Sequence, residues 1–513
     1  MLRSTFMGFD IAKRGIQVSQ KGLDITGQNM VNWDSQGYTR QRIDQVALSQ
    51  HTYRSRYSSS RIGQAGQGVD IAGVGQIRDT FLDKLYRDES SESGYFDTVQ
   101  NILSNIEASM GEFNPLTNAG IRGSLETLIG ALQDFSGESS TKTNANIIST
   151  EFKNLCLTLQ QLSTAIDKTA LQQKYDLEVS VYEVNEKLQE LANLNYTIAQ
   201  NKGVSVANAK YGPNELLDRQ NLLLDELSQF ADIDVTRNAD YTVTVSMGGQ
   251  TVVLGDKSEK LEYVDNGDST VALRWVSTGE SIKTTSGALK GYTDFINGRG
   301  PNQQSKNESP YKGILYYKDQ LDIFANTLVH VVNNSVPDSF DAAGNVLTYK
   351  ELLGGVSDVM DPDGHYPVIT NGPITAANIA ISDIWANDSD YIIAYPDSKK
   401  NEHIHKLYTA MFSDKHAFVG FGETVNGTFE DFVKGYAGTL AEDITFYKGR
   451  HGASLTVLNE VQDNRDSVSG VVMDEEVTNM MMYNKSFQAA SRLMTTLDEA
   501  LDVLINKTGL VGR

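Results

Sequence analysis

The residues able to do chemistry are scattered, and their spacing argues against most of it. Glycines at 63, 66, 68, 73 and 75 could line a phosphate cradle. A dinucleotide-binding turn needs a strand before its glycines and a helix directly after them. Here Val69 and Ile71 alternate like strand residues among the glycines, so no nucleotide site is expected. Glu402-His403-Ile404-His405 offers two imidazoles two positions apart, which diverge on a helix instead of converging on a metal, and both read as surface histidines. Asp361-Pro362-Asp363-Gly364 and Asp265-Asn266-Gly267-Asp268 look like fragments of calcium loops. Neither has the glutamate that closes such a loop, and turns are the better reading. Cys156, the single cysteine, lies between Leu155 and Leu157 in a helical pattern, so it reads as a buried inert thiol and excludes an internal disulfide framework. With 66 acids in the chain, a converging carboxylate pair for glycan cleavage is conceivable, but no spacing selects one. No catalytic residue, metal ligand or cofactor follows from these patterns.

The stronger signal is architectural and lies at the two ends. Met480, Phe487, Met494 and Leu501 recur every seven residues, followed three places on by Tyr483, Ala490, Leu497 and Leu504, which traces one narrow apolar seam along a helix. At the other end Leu2, Phe9, Ile16, Leu23 and Met30 are also seven apart. Their companions Thr5, Ala12, Ser19 and Thr26 are small or hydroxylated, as a closely approaching helix requires. Two such seams call for each other or for a neighbour's copy, because isolated helices of this kind are marginal in water. The terminal 35 to 45 residues are therefore expected to be mobile in the free chain and to pair with those of neighbouring subunits in an assembly.

Composition supports a large, soluble assembly component. At 513 residues the chain holds two to four domains. A net charge of −22 disfavours nucleic acid as a partner, since a phosphate-binding surface is basic. The ends differ in sign: nine bases face four acids from Met1 to Val69, and six acids face four bases from Gly470 to Arg513, which favours their pairing. No apolar run is long enough to span a bilayer, and Arg3, Asp10, Lys13 and Arg14 interrupt any secretory signal.

The fold class expected is α+β and multidomain. Residues 1–40 with 470–513 form a paired coiled-coil assembly domain, and residues 41–230 with 401–469 and a helix at 311–332 form a mainly helical bundle core. A β-rich domain is inserted at 231–300, where Ile233, Val235, Tyr241, Val243 and Val245 alternate and Gly248-Gly249 marks a hairpin. A second variable insertion, irregular or β, covers 335–400. From His403 onward the pattern is helical to the end, with a break near Ser467-Gly470.

Gln28-Asn29-Met30-Val31-Asn32 followed by Gly37-Tyr38-Thr39-Arg40-Gln41-Arg42 resembles the amino-terminal motif of the bacterial flagellar axial proteins, with Asn29, Asn32, Gly37, Tyr38, Thr39 and Arg40 as its core. Ser469-Gly470-Val471, Asp474-Glu475-Glu476, Phe487-Gln488-Ala489-Ala490 and Leu493 to Ile505 are similar to the carboxyl helix shared by rod, hook and hook-associated proteins. Within that group, Gly68 to Arg78 with Phe81-Leu82 and Leu85-Tyr86-Arg87, and Asn214 to Gln220 leading into the Val235 strands, resemble the hook-associated protein 1 branch, the hook–filament junction proteins. The likeness spans about the first 110 residues, about 180–255 and about 425–513, while 301–413 departs from it. The resemblance implies a structural subunit, not an enzyme, exported unfolded by a type III apparatus without a cleaved signal and residing on the cell exterior. It further implies self-association in an axial ring or helix, contacts to the hook protein and the next hook-associated junction protein, and a chaperone on the carboxyl helix, with no nucleic-acid or membrane partner. The alternatives are another axial protein of the hook or rod, or a junction protein whose insertion also carries a glycan-cleaving or adhesin activity.

Overall fold

A computed structural model describes residues 7–48, 66, 68–110, 120–137, 142–201, 211–301, 303–341, 345–357, 360, 366–370, 372–393, 400–420 and 423–507. Leu2, Thr5, Gly63 and the Asp361-Gly364 turn lie outside these residues. In chain order the elements begin with α1 (Met7–Val31), the antiparallel pair β1 (Gln41–Ala47) and β2 (Val69–Gln76), α2 (Thr80–Met110), α3 (Ile121–Gly137), α4 (Lys142–Gln200) and α5 (Asn214–Phe230). A four-stranded meander follows, β3 (Ile233–Arg237), β4 (Val243–Met247), β5 (Gln250–Leu254) and β6 (Lys257–Ser258), then the hairpin β7 (Leu261–Asp265) and β8 (Val271–Trp275). Next come α6 (Ala288–Ile296), α7 (Ile314–Asn333) and the short strands β9 (Pro337–Phe340), β10 (Val346–Tyr349), β11 (Leu353–Val356), β12 (Val368–Ile369) and β13 (Ile379–Ile381). The chain ends with α8 (Asp383–Asn387), α9 (Lys400–Phe412), the hairpin β14 (His416–Gly420) and β15 (Glu423–Gly427), α10 (Phe429–Ser469) and α11 (Met473–Asp502).

These elements fall into two compact units. The first comprises Met1–Ser90, Glu186–Glu259 and Thr456–Arg513, and the second Ser91–Asn185 and Lys260–Leu455. This division differs from the segmentation read from the sequence, because the β-rich stretch is shared: β3 to β6 belong to the first unit, and β7 and β8 to the second.

In the second unit the helical stripes supply the core. Val99, Ile102, Leu103 and Ile106 of α2, Leu125, Leu128 and Leu132 of α3, and Leu155, Leu159 and Ile166 of α4 are buried at the 3.6-residue period. In the first unit, Leu223, Leu224 and Leu227 of α5 and Val243, Val245, Val252 and Val253 of the meander are buried. Gly248 and Gly249, with φ of 57° and 82°, form the β4–β5 turn, which requires two left-handed residues.

Strands are fixed to helices by a recurring device, an asparagine side chain that mimics a neighbouring strand. Asn195 of α4 donates Nδ2 to the Val243 carbonyl at 2.8 Å and accepts the Val243 N–H at 3.0 Å. Asn185 holds Leu261 in the same way at 2.9 and 2.8 Å. Asn297 holds Val271 at 2.8 and 2.7 Å, and Asn333 at the end of α7 holds Leu353 at 2.8 and 2.9 Å. Each amide satisfies both backbone groups of a residue that would otherwise be unpaired there.

Two elements depart from the sequence-based pattern. α6 stands in the stretch expected to be β, built on Leu289, Phe295 and Ile296, which are buried. The β14–β15 hairpin interrupts the stretch expected to be helical after His403. Its Phe418 is buried and packs against Phe429 and Phe432, with ring centroids at 5.2 and 4.4 Å, so an aromatic cluster overrides local periodicity.

Candidate assembly interface

α1 and α11 run antiparallel against each other, and a stripe of small residues lets them approach. Gly8, Gly15 and Gly22 are seven apart and face Leu497, Ala490 and Tyr483, which are seven apart in the opposite direction. A Cβ built on each glycine would lie 2.9, 3.3 and 2.5 Å from those side chains. Ala12, Ser19, Thr26 and Asn29 continue the stripe and are buried. Of the two partners the seams call for, each other or a neighbour's copy, the single chain supplies the first. The reason is steric: glycine at every seventh position removes the side chains that would hold the helices apart.

The large seam residues have a different placement. Phe9, Ile16, Leu23 and Met30 of α1, and Met480, Phe487, Met494 and Leu501 of α11, are half-buried, and Leu504, in the turn after α11, is 50% exposed. Around them Met481, Met482, Leu493 and Ile505 are 58%, 51%, 44% and 70% exposed. The helix pair thus covers one strip of each helix and leaves apolar flanks open. Along its other side α1 carries the β1–β2 pair, where Gly68, at φ of 94°, sits against Ile11 and Arg14 pairs with Asp70 at 3.0 Å.

The motif Asn29, Asn32, Gly37, Tyr38, Thr39 and Arg40 forms a clasp at the base of this pair. Asn32 caps the end of α1 by donating Nδ2 to the Gln28 carbonyl at 3.0 Å. Gly37 takes φ of 77° in the turn, packed against Leu222. Asn29 repeats the asparagine device on Gln41 at 2.9 and 3.0 Å, and also donates to Glu476 at 3.2 Å and accepts from the Tyr38 hydroxyl at 2.8 Å. Arg40 donates to Glu475 at 2.6 Å and to Glu476 at 2.8 Å, while its backbone N–H reaches the Ser469 carbonyl at 2.9 Å. Both glutamates sit in the first turn of α11, where the helix dipole favours negative charge. Burial works against the Arg40 charge, but hydrogen bonds and charge from Glu475 and Glu476 more than offset it and raise its pKa. Burial, with Asp218, Glu476 and Glu215 nearby, raises the Tyr38 phenol.

Behind the clasp, Arg78 donates to Thr39 at 3.0 Å and to Asp83 at 2.7 Å, and Gln76 donates to Asp218 at 2.8 Å. Burial pushes the Asp218 carboxyl up to about 6, against hydrogen bonds from Thr39 and the charge of Arg78. Asp225 accepts from Arg87 at 2.8 Å and Arg465 at 2.6 Å, and Arg465 lies 3.8 Å over the Tyr86 ring, tying α10 to α2 and α5 within the first unit.

The remaining chemical candidates have structural employment. Gly73 and Gly75 lie in β2, with Gly73 packed under the Tyr211 ring and the Tyr211 hydroxyl donating to Asp44 at 2.7 Å. Asp265 and Asp268 accept the backbone amides of Gly267 and Thr270, which forms the β7–β8 turn. Cys156 is buried, which pushes its thiol up to about 12. His405 is exposed, but His403 is 6% exposed and lies against Phe340, a correction to the surface reading: it faces the interior side of α9 with Ile404 and Leu407. Among the described residues no group of three or more His, Cys, Asp or Glu could hold a metal ion, and no helix is long and apolar enough to cross a membrane.

Sequence reasoning found Ala12, Ser19 and Thr26 of the small-residue stripe but missed Gly8, Gly15 and Gly22, whose sevenfold recurrence is visible there, and it gave the two glutamates of the clasp no role at the site. A family model described as "Flagellar hook-associated protein FlgK helical domain" matches residues 103–348, and one described as "Flagellar basal body rod FlgEFG protein C-terminal" matches residues 462–507. Flagellar hook-associated protein 1 of Bacillus subtilis (strain 168) is 29% identical over 538 residues, covering 100% of both chains. The proteins of that name from Salmonella typhimurium and Escherichia coli K12 are 22% and 21% identical, each covering 96% of this chain and 98% of the relative. Among solved structures, the flagellar hook junction protein FlgK from Burkholderia pseudomallei is similar with a TM-score of 0.42 at 20% identity, over 53% of this chain and 47% of that one.

Proposed function

Because the chain belongs to the flagellar hook-associated protein 1 family, structural proteins of the bacterial flagellum, we propose that it assembles at the hook–filament junction through the flanks of its α1–α11 pair. The observation that carries this is the half-covered seam. Met481, Met482, Leu493 and Ile505 stand in water beside half-buried Phe487 and Met494, and a helix pair of this kind is completed by further helices. Copies of this chain supply those helices in an axial ring or helix, bounded by the hook protein on one side and the next hook-associated junction protein on the other. The role is structural and needs no catalysis, cofactor or metal.

Export by the flagellar type III route, without a cleaved signal, delivers the chain to the cell exterior, and a chaperone on α11 covers its apolar flank beforehand. The test uses a residue already exposed in the single chain. Leu493→Asp leaves the α1–α11 pair intact but places a carboxylate where a neighbour's apolar surface would cover it, at a cost of several kcal/mol. The variant chain is expected to keep its thermal transition and to be missing from isolated hooks. Recovery of Leu493→Asp and Phe487→Asp chains in hooks at the wild-type amount would refute assembly through this seam.

A further inference from the structure

α11 carries a run of three thioethers, Met480-Met481-Met482. Tyr483, the next residue, faces Gly22 of α1, whereas Met481 and Met482 stand where the pair leaves α11 open and are 58% and 51% exposed. Among the described residues only Met360, in the second unit and 51% exposed, is as open, while Met110, Met247 and Met411 are at most 2% exposed. Cys156 is buried as well. A methionine at such a place offers a partner adaptable apolar area, and it also lies open to oxidants in the surrounding water.

We infer that Met481 and Met482 form an oxidation site through which a peroxide controls assembly of the chain. The thioether sulfur attacks one oxygen of hydrogen peroxide, and the O–O bond breaks as the S–O bond forms. The proton on the transferred oxygen passes to the departing one, which leaves as water, so the sulfur loses two electrons and the peroxide gains them. The product is a sulfoxide, a polar acceptor on a surface that a neighbour's apolar residues would cover, and burying it there without a donor is unfavourable. The α1–α11 strip itself is untouched, because Gly8, Gly15 and Gly22 make it against Leu497, Ala490 and Tyr483. The free chain is thus open to oxidation and the assembled chain closed to it. The inference rests on the assembly reading above and adds a chemical control on the same flank.

Peroxide treatment of the full-length chain tests it. Peptide mapping by mass spectrometry is expected to find sulfoxide at Met481, Met482 and Met360, and intact thioether at Met110, Met247 and Met411. Added to hooks isolated from cells that lack the chain, the oxidised chain should be retained about tenfold less than the untreated one, with an unchanged thermal transition, because each sulfoxide is buried without a donor. A methionine sulfoxide reductase should restore retention. A Met481→Leu, Met482→Leu chain, which keeps volume and apolarity, should be retained equally before and after the treatment although Met360 is still oxidised.

Retention of the oxidised wild-type chain at the untreated level overturns the inference, and so does an equal loss in the Met481→Leu, Met482→Leu chain. An untreated wild-type chain that hooks do not retain overturns the assembly reading itself, which separates the two failures. In hooks that already hold the chain, Met481 and Met482 should be oxidised more slowly than in the free chain. Equal rates in the two states count against protection by assembly.

Discussion

Replacing Gly22 by alanine tests whether the small-residue stripe brings α1 and α11 together. The new methyl would lie 2.5 Å from the Tyr483 ring, whereas carbon atoms rest about 3.5–4 Å apart, so the ring or the helix must yield by about 1 Å. Overpacking of this kind costs about 1–3 kcal/mol, and alanine returns about 1 kcal/mol over glycine in a helix interior. The net is a loss of about 1 kcal/mol, or about fivefold in the open population. Gly27 provides the control in the same helix, because nothing lies within 4 Å of its would-be Cβ. Gly27→Ala should gain about 1 kcal/mol from helix propensity alone. Hydrogen exchange of the α1 and α11 amides reads both: faster for Gly22→Ala, slower for Gly27→Ala. Gly15→Ala, whose methyl would stand 3.3 Å from Ala490, should fall between them. Equal or greater protection in Gly22→Ala than in Gly27→Ala would refute the close approach.

Asn195→Ala leaves the Val243 N–H and C=O buried without their partner and should cost about 2–4 kcal/mol in chemical denaturation; a cost under about 0.5 kcal/mol would show that the device is ornamental. Glu476→Gln removes the charge that faces Arg40 at a nearly buried site, and should cost about 2–4 kcal/mol and speed exchange in the first turn of α11, while Glu475→Gln, 59% exposed, should change little. Asp218 is held protonated more tightly in the folded chain, up to about 6 against an ordinary 3.8, so its contribution to stability falls as pH rises between those values. Asp218→Asn should therefore gain on the wild type as pH rises from about 4 to above 6, and a difference independent of pH would count against burial as the cause.

The long periodic elements were legible in the sequence. Heptads outlined α1 and α11, the stretch holding α2 to α5 was recognised as mainly helical, and Gly248-Gly249 marked a hairpin turn. α6 escaped because nine residues carry too little periodicity, and β14–β15 because its strands are fixed by Phe429 and Phe432, which lie farther along the chain. At the interface, attention to Phe9, Ile16 and Leu23 obscured Gly8, Gly15 and Gly22 one position earlier, although what brings the helices together is the absence of side chains. The asparagine device was not legible at all: Asn195 and Val243 are separated by 48 positions, and nothing in either residue names the other.

The antiparallel pairing of the two ends also sets a clock. α1 ends at Val31 and α11 begins at Met473, so the partner strip leaves the ribosome roughly 440 residues after the first. At about 5–20 residues per second, the glycine-lined face of α1 waits on the order of 20 to 90 seconds for the helix that fits it. Throughout that delay α1 can be held only from its other side, by the β1–β2 pair, while its glycine-lined face stays open. The glycine-lined face of α1 is thus covered last of all, although it stands in the first helix to be made.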